Sequence, residues 1–146
     1  MATNSDAEII LKLYELRRDP ELRKARDYIT NEFWPDSFEG MWKELGRTGD
    51  KYRWFRQVYG YWEMAAALAV SGAVNEDLFI TTQLEMFYTF ARISPFVKHF
   101  REKSPEFMIS ITTLCERNAK ARELLDRAEK QVPQFKKLIA EEKAEG

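Results

Sequence analysis

The chain is nearly empty of the residues that most often carry chemistry. It has one cysteine, Cys115, and one histidine, His99, in 146 residues. A lone cysteine excludes an intrachain disulfide, and nothing else points to an oxidising compartment. A structural zinc site takes four Cys or His ligands, and two are too few. The residue three before His99 is Phe96, so the Glu-x-x-His signature of di-iron bundles is missing too. His99, followed by Phe100 and Arg101, reads as a surface residue near a helix end. Cys115 has no histidine to make it a thiolate, and between Ile111 and Leu114 on one side and a helical run on the other it reads as a buried, inert thiol.

Other absences narrow the field further. The glycines form neither Gly-x-Gly-x-x-Gly nor Gly-x-x-x-x-Gly-Lys, which excludes nucleotide binding through those loops. Charge of one sign is absent: 23 basic against 24 acidic residues leave a net charge of −1, with no long-range field to draw in nucleic acid or anionic lipid. No basic recognition helix stands out for DNA binding. Long hydrophobic runs are lacking as well. The longest, Met64 to Val70, extends through Ser71, Gly72 and Ala73 to Val74, well short of the ~20 residues a spanning helix needs. The start, Met1-Ala2-Thr3-Asn4-Ser5-Asp6, has neither the basic stretch nor the apolar stretch of a signal peptide. A cytoplasmic protein with no membrane partner, no nucleic-acid partner and no cofactor is expected.

What is present is helix punctuation and grease. Hydrophobic residues make up 45% and aromatics 14%, and a chain of this length buries roughly 68% of its unfolded surface, enough for a single-domain core. Ser5-Asp6-Ala7-Glu8 has the form of a capping box, followed by Ile9, Ile10, Leu13, Tyr14 and Leu16 at helical spacing. Asp19-Pro20-Glu21 opens a second helix with a cap and a first-turn proline, and Leu22, Ala25, Arg26, Ile29 and Phe33 line one face. Pro35 ends it. Ser37 caps a short helix from Phe38 to Leu45 that stops in Gly46-Arg47-Thr48-Gly49-Asp50. The aromatic group Phe33, Trp34, Phe38 and Trp42 reads as buried packing.

The centre is predicted to be a helical hairpin. On a wheel of 100° per residue, Tyr52 to Ser71 shows an apolar arc of about 200°. Trp54, Phe55, Val58, Tyr59, Tyr61, Trp62, Ala65, Ala66, Leu68, Ala69 and Val70 fill it. The other face carries Arg53 and Gln57, then Gly60, Met64, Ala67 and Ser71. Gly60 costs ~1 kcal/mol in a helix interior, which predicts a neighbouring helix crossing close to it. Gly72 supplies a left-handed cap and Asn75 the next N-cap. A returning helix runs from Leu78 to Ile93, and Ser94-Pro95 breaks it. Ser104-Pro105-Glu106 repeats the cap-proline-acid signature and opens the last region.

There Phe107, Ile111, Leu114, Asn118, Ala121, Leu125, Ala128, Val132, Phe135 and Ile139 alternate by four and three. This is a heptad seam with Asn118 at an a-type position, where a buried Asn sets register and oligomer state. Pro133 is expected to kink or end the helix near Gln131. Leu124 and Leu138 widen the stripe, so two readings stay open: packing on the chain's own hairpin, or homodimerisation through Leu114, Asn118, Ala121, Leu125, Ala128, Val132 and Phe135.

One constellation carries potential chemistry. Folding the hairpin about its turn brings Glu63 level with Glu85 and Arg56 level with Arg92, beside Tyr59 and Tyr88. Two carboxylates held together raise one pKa, as general acid-base enzymes require; two arginines clamp an anion. The competing reading is an ion-pair network bracing the helices, with Arg26 as a further member.

The run Tyr61-Trp62-Glu63-Met64-Ala65-Ala66-Ala67-Leu68-Ala69-Val70-Ser71-Gly72-Ala73-Val74-Asn75-Glu76-Asp77-Leu78-Phe79 is preceded by Leu11-Lys12-Leu13-Tyr14-Glu15 and Arg17-Arg18-Asp19-Pro20-Glu21-Leu22. Together they resemble a bacterial all-helical family of unknown function, over about residues 8 to 115. The resemblance implies the fold and a bacterial origin but no reaction. The family's frequent N-terminal membrane anchor has no counterpart here, and the tail beyond Asn118 lies outside it. The expected architecture is all-α. It is one domain over 1–146, a bundle of about five to seven helices around a buried antiparallel hairpin, with a core at about 5–118 and an amphipathic helix over 119–146. Three functions stay open: a non-enzymatic interaction or structural module that self-associates, a small-molecule or anion sensor or carrier using the Glu/Arg groove, and a carboxylate-dependent enzyme.

Overall fold

Helix caps in the sequence largely decide where the elements begin. In the computed structural model, which describes all 146 residues, the chain forms nine α-helices and no strands. Helix α1 is Asn4–Arg17, α2 Pro20–Glu32, α3 Phe38–Leu45, α4 Asp50–Val70, α5 Glu76–Thr82 and α6 Leu84–Ala91. A 3-10 turn at Ser94–Phe96 leads to α7 Val97–Arg101, then α8 Ile109–Arg117 and α9 Ala119–Glu145. No helix is long and apolar enough to cross a membrane.

The caps Asp19, Ser37 and Asn75 accept from the backbone N–H groups of Leu22, Gly40 and Leu78, so those starts follow from local chemistry alone. The first cap lies earlier than expected. Thr3 and Asp6, not Ser5 and Glu8, make the reciprocal capping pair. Asp6 has a second task there: its other oxygen accepts from Asn75 N at 2.8 Å, pinning the start of α1 to the turn after α4. The N–H donors of Thr3 and then Asn75 hold its carboxyl below the usual carboxylate range.

Helix α4 is the axis. Phe55, Val58, Tyr59, Trp62, Ala65, Ala66 and Ala69 are buried at three- and four-residue spacing, the stripe of an amphipathic helix. It packs chiefly against α2 and α8, while α6 packs chiefly against α9, and α8 and α9 pack on each other. The turn at Gly72 (φ 85°) is as expected. The returning arm is not one rod, however. Gln83 leaves helical geometry (φ −116°, ψ 48°) and splits it into α5 and α6, because its buried amide is held from α1 by Arg17. Helix α6 therefore swings toward α9 instead of lying along α4.

Four further expectations change. Gly60 is exposed, and a Cβ there would meet nothing within 4 Å; no helix crosses it, and it borders a shallow groove with Leu16 and Met64. Ser104-Pro105 starts turns rather than a helix. Met108, at φ 53°, redirects the chain into α8. Asn118 is not a seam residue within one helix: it separates α8 from α9, caps α9 by accepting from Lys120 and Ala121 N, and donates to Glu76. Leu114, Ala121, Leu125 and Ala128 face inward and join one contiguous core. Helix α9 continues through Pro133 to Glu145. Pro133 and Glu129, whose carbonyl loses its donor, are both exposed residues, so the missing bond lies on the outer side of the helix, away from the core.

Candidate functional site

The residues that a simple hairpin register would unite are dispersed by the break at Gln83. Glu63 lies at the start of α8, where its two oxygens accept from Ser110 N at 2.8 Å and Ile111 N at 3.1 Å. Glu85 binds Arg26 through two hydrogen bonds of 2.8 and 2.6 Å. No polar contact joins the two glutamates, so no carboxylate dyad exists. Arg92 donates to Ile29 O at 2.6 Å and Phe33 O at 2.9 Å, at the C-terminal end of α2, and its guanidinium lies 3.3 Å from the centre of the Trp34 ring. Arg56 is exposed beside Tyr52. Tyr59 is buried and donates to Thr89 O at 2.8 Å, and burial raises its phenol pKa. Tyr88 is at the surface, its ring 5.8 Å from that of Phe135. In place of the single groove offered by the wheel there are separate attachments: Glu63 braces α8, Glu85 and Arg92 brace α2, and Tyr59 braces α6.

Glu85 and Arg26 do belong to a polar site, with other partners. Helix α1 ends at Arg17 and α2 begins at Pro20, so the tight corner presents Arg17, Arg18, Arg23 and Arg26 to one side. Together with Tyr14 and Glu85 they line an open cleft of about 600 Å³. Arg17 reaches inward. It donates to Gln83 Oε1 at 2.6 Å and to the Tyr61 hydroxyl at 3.2 Å, and lies over the Trp62 ring at 5.2 Å. Tyr61 in turn donates to Leu13 O at 2.7 Å. Arg26 also donates to Arg17 O at 3.2 Å, capping the end of α1.

The consequences are electrostatic. Only Arg26 meets a carboxylate, and its hydrogen bond to Glu85 raises an already high pKa, holding it charged. Arg17 is fixed by neutral groups, so its charge is oriented without being cancelled. Arg18 and Arg23 are exposed, with no carboxylate within ion-pair distance. Four guanidinium groups and one carboxylate line the cleft, in a chain whose net charge is −1. Burial raises the Tyr61 phenol pKa, so it acts as a hydrogen-bonding group rather than a base. With its one carboxylate occupied, the cleft presents guanidinium forks of the kind whose geometry matches phosphate and carboxylate oxygens.

Sequence reasoning found Glu85 and Arg26 here and missed Arg17, Arg18, Arg23, Tyr14 and Gln83. A signal was available: four arginines within ten residues astride the Asp19-Pro20 corner. Wheels drawn on separate helices do not show residues converging across a corner.

Fold and cleft define a small all-helical protein whose polar centre is an arginine-lined opening between its first two helices. Residues 2–118 match a family described as a domain of unknown function (DUF4760), and the chain belongs to that family. The match ends at Asn118, the cap of α9. No curated protein and no solved structure matches the chain.

Proposed function

We propose that the protein is a non-enzymatic binding module. It recognises a compact anion bearing two or more phosphate or carboxylate groups at the α1–α2 corner. The observation that carries this reading is the surplus of guanidinium over carboxylate in the cleft, with Arg17 and Arg26 held in place and Arg18 and Arg23 free to close on a ligand. The setting proposed is a bacterial cytoplasm, supported by the family resemblance around Tyr61 to Phe79 and by the single thiol, Cys115, which burial pushes up to about 12.

Thermal unfolding with inorganic pyrophosphate or citrate tests the proposal, with chloride at matched ionic strength as control. Ligand at 100 times its Kd stabilises the folded state by about 2.7 kcal/mol. An Arg18→Gln/Arg23→Gln variant, changed only at exposed positions, is expected to fold normally and lose that gain. Equal stabilisation of both proteins, or none in either, would overturn the proposal.

A second reading, self-association, has its own observation. Helices α6 and α9 run antiparallel, since Ser94 bonds Glu129 and Tyr88 meets Phe135. This register continues an exposed apolar strip from Tyr88 and Phe135 to Leu84 and Leu138, a surface that a second copy would cover. Light scattering is expected to give a dimer that Phe135→Glu/Leu138→Glu converts to monomer; a monomeric wild type would dismiss the reading.

A further inference from the structure

A second concavity shares no residue with the arginine cleft. It opens between α3, the start of α4 and the α7–α8 connection, encloses about 380 Å³, and falls within the size range of small-ligand pockets. Aromatic rings form its base. Phe100 and Phe107 stack at 4.0 Å between centres with 7° between planes, and Phe55 lies parallel to Phe100 at 6.1 Å and 12°. Trp42 closes one side at 5.9 Å from Phe100. At the mouth His99 stacks on Phe38 at 5.1 Å.

The rim has a different character. The Arg47 guanidinium lies 4.1 Å from the Trp42 ring centre, held by the ring's negative face. Arg56 and Lys103 stand on the same rim, and Glu102 is the one carboxylate among the lining residues. Arg47, Arg56 and Lys103 are all exposed, and none pairs with Glu102 or any other carboxylate. Cations exposed over a floor of stacked aromatic rings combine two recognitions: flat apolar surface is taken up by the rings, and negative charge at its edge by the rim.

We infer that this pocket binds a small planar anion, a fused or single aromatic ring carrying a carboxylate or an equivalent acidic group. The ring system rests on the pocket floor against Phe107 and Trp42, and the acidic group stays at the mouth between Arg47 and Arg56. The pocket is thus a second site for a ligand class different from that of the arginine cleft.

Titration with 2-naphthoate tests the inference by calorimetry and by the indole N–H resonance of Trp42, assigned with Trp42→Phe. Saturable binding that moves this resonance is expected. The neutral analogue 2-naphthalenemethanol should bind about tenfold more weakly, the loss of roughly one charge-assisted contact. Arg47→Gln/Arg56→Gln, at exposed positions and checked for unchanged helicity, should weaken naphthoate about tenfold and leave the alcohol unaffected. Arg18→Gln/Arg23→Gln should bind naphthoate as wild type does, separating this site from the cleft. Three results would each overturn the inference: no saturable binding, equal affinity for acid and alcohol, or unchanged naphthoate affinity in the Arg47/Arg56 variant.

Discussion

Arg92 replaces a helix-ending glycine or water with a side chain. Its guanidinium satisfies carbonyls at the end of α2, places positive charge at the negative pole of that helix, and stacks on Trp34. Burial lowers its pKa to about 10, so it stays charged at neutral pH. Replacing Arg92 by Met keeps the stem and removes those bonds. The expected loss is about 2–3 kcal/mol in urea unfolding, the scale of charge-assisted hydrogen bonds whose acceptors are left buried. A loss below about 0.5 kcal/mol would show that the carbonyls find other donors. Folding the hairpin in sequence sets Arg92 level with Arg56, whereas in the structure it follows the end of α6 and caps α2. What a wheel lacks is the neighbour: the end of α2 lies nearly sixty residues earlier in the chain. Arg26 was legible as a further member of an ion-pair network with Glu85, and it does bind Glu85; what the sequence does not show is the corner that gathers it with Arg17, Arg18 and Arg23.

At the scale of elements, local signals and distant ones separate cleanly. Asp19, Ser37, Asn75 and Gly72 act on residues within a turn of themselves, and the helix limits they set are readable from order alone. The α5–α6 break and the start of α8 are set from afar. Gln83 is extracted from the helix by Arg17, and α8, whose N-cap Met108 offers no capping side chain, takes its cap from Glu63 on α4. Glu63→Gln keeps an acceptor and removes the charge at the helix N-terminus. It is expected to cost about 1 kcal/mol and to speed hydrogen exchange at Ser110 and Ile111 ahead of the rest of α8. Unchanged exchange at those two amides would mean that α8 is capped some other way. The four-three pattern across Asn118 left two readings open for a related reason: a heptad records which residues are apolar, and two helices folded together bury such a stripe as well as two chains do; Leu114, Ala121, Leu125 and Ala128 join the chain's own core.

For the molecule as a whole, fold class and core were the legible part. The apolar stripes of α4, α6, α8 and α9 converge on one core, and burial of that stripe sets the fold whichever side chains decorate it. The cleft was only half legible, because its charge arises where two helices meet rather than along either one. Its surplus of guanidinium is also where the functional account stands or falls. The most direct measurement is nitrogen-15 NMR of the arginine Nε–H groups during titration with inorganic pyrophosphate. The account predicts that the Arg18 and Arg23 signals, from side chains without a carboxylate partner, shift and sharpen together along one saturation curve while the Arg92 signal stays still. Signals of Arg18 and Arg23 that do not move, or that move no more than those of Arg53 and Arg127, would contradict it.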